Sequence, residues 1–134
     1  MVKKESKLNI KNINTTNIFT LVDLSISTSK IKNDINFTKN YDPSIPEFKL
    51  DASSFIKTLN SVFDAFKDKE NVSCSILLKI GEYIKIDNKK YSLISVEIAS
   101  NEKSDFSSLN IKETNSFILT SDDTKVTIDL PLIL

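Results

Sequence analysis

The chain of 134 residues has no arginine, no histidine and no tryptophan, and only one glycine, Gly81, and one cysteine, Cys74. Each absence removes a class of chemistry. Without histidine there is no Ser-His-Asp or Cys-His arrangement and no imidazole base titrating near neutral pH. One cysteine excludes an intrachain disulfide and a Cys/His zinc tetrad. A single glycine excludes a Walker P-loop and a G-x-G-x-x-G fingerprint, whose turns need several positions without a Cβ. Without a guanidinium, no side chain can grip a carboxylate, a phosphate or a guanine edge with a planar two-pronged fork. Duplex-DNA reading and pyrophosphate cofactors are therefore not expected, and the sequence names no cofactor and no metal site.

What is present describes an ordinary globular chain. Hydrophobic residues make up 40% and charged residues 27%, and 18 lysines balance 18 acids to a net charge of zero. Nucleic-acid binding through counterion release usually comes with a basic excess, which is missing here. Lysine, asparagine and isoleucine in excess, with no arginine, match the codon usage of an AT-rich genome. The charged start Met1 to Lys7 leads into no apolar stretch, because Asn9, Lys11, Asn12 and Asn14 interrupt it. This reads as a flexible N-terminus (1–7) and not as a signal peptide. No run approaches the ~18 apolar residues of a membrane-spanning helix. The sequence thus predicts a cytoplasmic protein with a single domain over 1–134, and no membrane partner.

The hydrophobic pattern alternates between two periods. Ile18, Val22, Leu24 and Ile26 share one parity against Asp23, Ser25 and Ser27, which predicts a half-buried strand over 18–28. Ser29 to Pro46 is polar and irregular, and its prolines disfavour a central strand; the stretch Ser29–Ile45 and the loop Ser100–Asn115 are where contacts with a partner are expected. Glu47 to Leu50 reads as a short strand. At 51–69 the period changes: Phe55, Ile56, Leu59, Val62, Phe63 and Phe66 form one stripe at helical spacing. Asp51 or Ser53 can cap the first turn, and Lys67 and Lys69 suit the negative end of the helix dipole. From Val72 the period is two again. Val72, Cys74, Ile76, Leu78 and Ile80 alternate with polar neighbours, Gly81 marks a bulge, and Asp87 to Lys90 turns the chain into a strand over Tyr91 to Ala99. Phe117 to Thr120 and Lys125 to Leu130 make a second hairpin. The expected fold is α+β, a mainly antiparallel, curved or barrel-like sheet with one amphipathic helix (about 51–69) packed on it.

Three constellations bear on function. Lys79, Tyr83, Lys85, Lys89, Lys90 and Tyr91 crowd the first hairpin, where ammonium groups beside aromatic rings would suit the phosphates and bases of a single strand. The element order also permits an OB-type barrel. Carboxylate-x-lysine occurs at Glu47-Phe48-Lys49, Asp87-Asn88-Lys89 and Asp123-Thr124-Lys125, the pairing that metal-dependent nucleases use. Glu82 shares the parity of Ile80 and Ile84, although a bulge at Gly81 would turn it outward. Cys74, on the inward parity, reads as a small hydrophobe. The sequence therefore leads to the expectation of a non-catalytic protein that binds another protein or itself, as an assembly factor of an intracellular, phage or other mobile-element system. A single-stranded nucleic-acid binder is the alternative, and a metal-dependent nuclease a distant one. No small-molecule cofactor is expected.

Overall fold

The computed structural model describes residues 2–5 (backbone path only), 13–31, 35–106, 109 and 117–134. Along the chain run β1 (Val2–Glu5), β2 (Asn14–Thr16), α1 (Ile18–Thr28), β3 (Asn36–Tyr41), β4 (Phe48–Leu50) and α2 (Ala52–Ala65). They are followed by β5 (Asn71–Ile86), β6 (Lys89–Ala99), β7 (Ile118–Ser121) and β8 (Lys125–Pro131). Among the described residues, one sheet has the order β1-β5-β6-β8-β7, with β3 also on the outer edge of β5, and β2 pairs with β4 in a small separate sheet. Both β1 and β3 run parallel to β5, whereas β5-β6, β6-β8 and β7-β8 are antiparallel.

This corrects the expected architecture. The sheet is mixed and is not a barrel-like, mainly antiparallel one, and two helices are present where one was expected. The second helix is α1, over the segment that alternation assigned to a strand. Its buried residues are Ile18, Val22 and Ser25, spaced at i, i+4 and i+7, and that spacing is helical. Asn17 caps it, its side chain accepting from the Thr20 amide at 3.2 Å. Leu24, which alternation placed in the core, is 46% exposed. Hydroxyls in the helix satisfy themselves locally: Ser25 Oγ, fully buried, donates to the Leu21 carbonyl at 2.8 Å.

The stripe on α2 does what its period requires. Phe55, Leu59, Val62 and Phe63 are fully or almost fully buried, as is Phe66 just beyond the helix, and together they pack against Cys74, Ile76, Ile94, Val96, Ile98 and Ile128 of the sheet. Each such side chain contributes about 1.5–3 kcal/mol of burial. Edge-to-face contact of Phe55 with Phe117 (5.8 Å) and a tilted contact of Phe37 with Phe63 (6.1 Å) tie the helix to β3 and to the start of β7. Asp51 caps α2, accepting from the Ser54 amide at 3.2 Å.

Gly81 does mark a bulge, and the bulge is larger than one residue. Lys79 faces Leu93 and Tyr83 faces Ser92, so Ile80, Gly81 and Glu82 have no counterparts on β6. Gly81 has φ +80°, where a side chain is disfavoured, and Ile80 is 92% exposed. The odd insertion swaps the faces of β5. Before it, even-numbered Cys74 and Ile76 face the helices; after it, Ile84 and Ile86 join Leu93, Ile118 and Tyr91 in a small second cluster on the opposite face. Asp87 and Asn88, both at positive φ (49° and 67°), then close a two-residue turn, tighter than the four residues expected.

Candidate functional site

The hairpin residues singled out from the sequence do not form one surface. Register puts Lys79 beside Leu93 on the sheet face away from the helices, where it pairs with Glu97 at 3.3 Å. The bulge puts Tyr83 and Lys85 on the other face, opposite Ser92 and Lys90. Lys90 Nζ lies 5.8 Å from the Tyr83 ring centre, a cation–π contact, and Lys89 is exposed at the turn. Tyr91 is half-buried against Ile84 and Leu93. Among the carboxylate-x-lysine triplets, Asp87 and Asp123 lie in or beside turns, and Lys49 is held on β4, its amide donating to the Ile133 carbonyl at 2.6 Å. Glu82 sits half-buried in the bulge. Among the described residues no group of three or more histidine, cysteine or acidic side chains can hold a metal ion.

A different region gathers polar and apolar groups around a cavity. β3 lies beside α1 and presents Phe37, Lys39 and Tyr41 at period two, while α1 presents Phe19, Asp23, Ile26 and Ser27 at i, i+4, i+7 and i+8. The cavity, about 540 Å³, is lined by Asp23, Ile26, Ser27, Ile31, Ile35, Phe37 and Lys39. That volume is in the range of small-molecule sites, ~300–1,000 Å³. At its polar rim Lys39 Nζ and the Tyr41 hydroxyl both donate to Asp23 Oδ1, each at 2.9 Å. Phe19 stacks on the Tyr41 ring (5.6 Å between centres) and fixes its orientation.

Two groups beside the rim are held protonated. Burial, helped by Cys74 behind it and the hydrogen bond to Asp23, drives the Tyr41 hydroxyl well above its ordinary range, so it stays a donor. Burial likewise pushes the Cys74 thiol up to about 12, with the Lys39 ammonium pulling down and Asp23 adding to the rise. Cys74 is thus a protonated core residue, as its parity suggested. The C-terminal end of α1 is anchored to α2: Thr28 Oγ1 donates to Asn60 Oδ1 at 3.1 Å, and the Lys30 amide donates to Asp64 Oδ1 at 2.7 Å. The cleft therefore has one wall on a helix fixed at its C-terminal end, the other on a sheet edge.

The stretch 29–45, where contacts are expected from the sequence, supplies Ile31, Ile35, Phe37, Lys39 and Tyr41, whereas Asp23, Ile26 and Ser27 of α1 are not singled out by the sequence. The signal of these three was a shared helical face, which is invisible once 18–28 is read as a strand.

No family model matches the sequence, and no curated protein matches it either. Solved structures do match in fold. The catalytic domain of the histidine kinase ThkA, in a nucleotide-free form, superposes with a TM-score of 0.56 at 15% identity, covering 90% of this chain and 97% of that one. The Acinetobacter baumannii histidine kinase AdeS gives 0.56 at 8% identity over 95% of this chain and 69% of that one. The histidine kinase domain of the E. coli osmosensor EnvZ gives 0.52 at 10% identity over 96% and 92%. The chain has the fold of a histidine kinase catalytic domain. At these identities the likeness is one of fold. It overturns the reading as a non-catalytic assembly factor of a phage or mobile element, because the architecture that matches over nearly the whole chain is that of a catalytic domain. The OB-type single-strand binder fails because the sheet among the described residues is open and mixed, and the nuclease alternative falls with the same fold match. Among the described residues, no helix is long and apolar enough to cross a membrane.

Proposed function

We propose that the chain is a nucleotide-binding domain of the histidine kinase catalytic type, which holds a nucleoside triphosphate as phosphoryl donor. One observation carries this: the fold is shared over 90% of this chain and 97% of a histidine kinase catalytic domain whose crystal form is described by its lack of nucleotide. Phosphoryl transfer asks a protein mainly for positioning and for charge stabilisation, so the absence of a histidine base is no obstacle. The same absence has a consequence. These 134 residues hold no histidine, so a histidine that accepts the phosphoryl group lies outside them.

The means of holding phosphate must differ from a glycine cradle. The only glycine is on the exposed β5 bulge, and every cation is a lysine. Phosphate oxygens would then rest on ammonium groups, strongly hydrated point charges that grip less tightly than a guanidinium fork. Affinity in the range of about 10 µM to 1 mM is the expectation. Titration calorimetry with ATP and Mg²⁺, and with ADP as competitor, tests it. Saturable binding that ADP displaces is the expected result. No heat and no chemical-shift change at about 1 mM ATP would reject the proposal.

A further inference from the structure

We infer that the cleft between α1 and β3 binds a free α-amino acid with a large apolar side chain, its ammonium on Asp23, its carboxylate on Lys39 and its side chain among the apolar walls. The inference concerns a second small molecule and does not depend on the nucleotide reading. Its warrant is the way the rim bonds are spent. Tyr41 and Lys39 both donate to Asp23 Oδ1, at 2.9 Å each, which leaves Oδ2 as an acceptor. An ammonium has three N–H groups, of which Lys39 spends one on Asp23. The Asp23 and Lys39 side chains are 51% and 45% exposed, so a ligand reaches both. Tyr41, whose hydroxyl stays protonated and whose ring stacks on Phe19, holds the carboxylate in place.

A negative and a positive group thus stand in contact at the mouth of an apolar cavity. A ligand has to answer with the opposite pair at the same spacing. An alkylamine would satisfy Asp23 but set a second cation beside Lys39, and a simple carboxylate would set a second anion beside Asp23. An extended peptide carries its ammonium and carboxylate on different residues, too far apart to meet two groups 2.9 Å from each other. A free α-amino acid carries both on one carbon. Seated here, it completes a ring of four charges that alternate in sign, with no net charge and a charge-assisted bond on each side. The body of the cleft decides the side chain. About 540 Å³ is bounded by Ile26, Ile31, Ile35 and Phe37, and Asp23 and Lys39 are the charged groups that line it. Ser27 spends its hydroxyl proton on the Leu24 carbonyl at 2.9 Å. Aliphatic walls and an aromatic ring suit a side chain like that of phenylalanine, whose burial supplies affinity that alanine lacks.

The test titrates L-phenylalanine, phenethylamine (no carboxylate), 3-phenylpropionate (no ammonium) and L-alanine, each to about 10 mM, following calorimetry and amide chemical shifts. The proteins are the native chain, Asp23→Asn and Lys39→Met. Both substituted side chains are about half exposed, and thermal melts confirm that the variants fold. A hydrogen bond to a charged group changes affinity by roughly 10-fold or more. Expected on the native chain is saturable binding of phenylalanine, weaker by about 10-fold or more for each analogue, and none of alanine. The variants should then cross. Asp23→Asn weakens phenylalanine about 10-fold but leaves 3-phenylpropionate bound as well or better, because the like charge is gone. Lys39→Met weakens phenylalanine by a similar factor and spares phenethylamine. If phenylalanine does not bind, binds no better than the two analogues, or binds the native chain and both variants alike, the inference falls. The nucleotide reading stands or falls on its own titration.

Discussion

Deleting Ile80, Gly81 and Glu82 together should leave the fold intact and every side chain on its present face. The register makes this specific. Lys79 faces Leu93 and Tyr83 faces Ser92, so removing the three intervening residues makes Lys79 and Tyr83 neighbours opposite two residues that are already neighbours. The ladder then runs unbroken from Ser73↔Ala99 to Ile86↔Lys89. Lys79 keeps the face it shares with Leu93, and Ile84 and Ile86 keep theirs in the second cluster. The side-chain packing lost is small at Ile80, which is 92% exposed, and at Gly81, which has no atom within 4 Å of where a Cβ would stand, while half-buried Glu82 gives up its contacts in the bulge. What is gained is the entropy of three residues that need no longer be ordered, at ~1–2 kcal/mol each before their own contacts are subtracted. Urea unfolding should therefore show stability unchanged or raised by up to about 2 kcal/mol. A loss of more than about 2 kcal/mol, or disappearance of the Ile84–Leu93 contact from NMR spectra, would refute the claim that the bulge is a removable insertion.

Two further outcomes follow from single side chains. Asp51→Ala removes the acceptor for the Ser54 amide at the start of α2 and should cost about 0.5–2 kcal/mol in urea unfolding; no measurable loss would mean the cap does not hold the helix. Cys74 titrates near 9.0 when exposed but only at about 12 in the fold, so between those values the unfolded chain gives up a proton that the folded chain keeps. Stability is full below pH 9 and falls above it by up to about 1.4 kcal/mol per pH unit, with Tyr41 acting in the same direction at higher pH. Cys74→Ala should flatten that slope in unfolding curves taken at successive alkaline pH values, and an unchanged slope would show that the thiol is not its source.

The parts of the fold that were legible in the sequence are those whose contacts are local or strongly periodic. Six apolar residues at helical spacing leave α2 little choice, and the β5-β6 and β7-β8 hairpins carry alternation on both arms. The failures have two physical sources. In α1, Ile18, Val22, Leu24 and Ile26 satisfy a period of two, while Ile18, Val22 and Ser25 satisfy 3.6, and β-branched residues with a serine between them favour the strand reading. The decisive signal is the Asn17 cap, which alternation does not weigh. In β3, Asn36, Thr38 and Asn40 face solvent on an edge, and only the parallel pairing with β5, some 35 residues away, makes the segment a strand. A parallel partner leaves no turn behind to announce it.

The site was less legible than the fold because it belongs to the two elements that were missed. Asp23 is an outward residue of a strand in one reading and faces Lys39 and Tyr41 in the other, so the helix has to be placed before the cleft exists at all. The missing glycines and arginines bear on the site and not on the fold. They exclude particular ways of holding a phosphate, by bare backbone or by guanidinium. A two-layer fold is specified by its buried face, here Phe55, Leu59, Val62, Phe63 and Phe66 against the sheet, and none of those positions needs glycine or arginine. Core and ligand contacts answer to different selection on composition: replacing arginine by lysine throughout leaves the core untouched while it changes every charged contact at the surface. A chain can therefore keep an architecture matched over nine-tenths of its length whatever cations line its clefts, and among the described residues Lys39, paired with Asp23, is the one cation that lines the α1–β3 cleft.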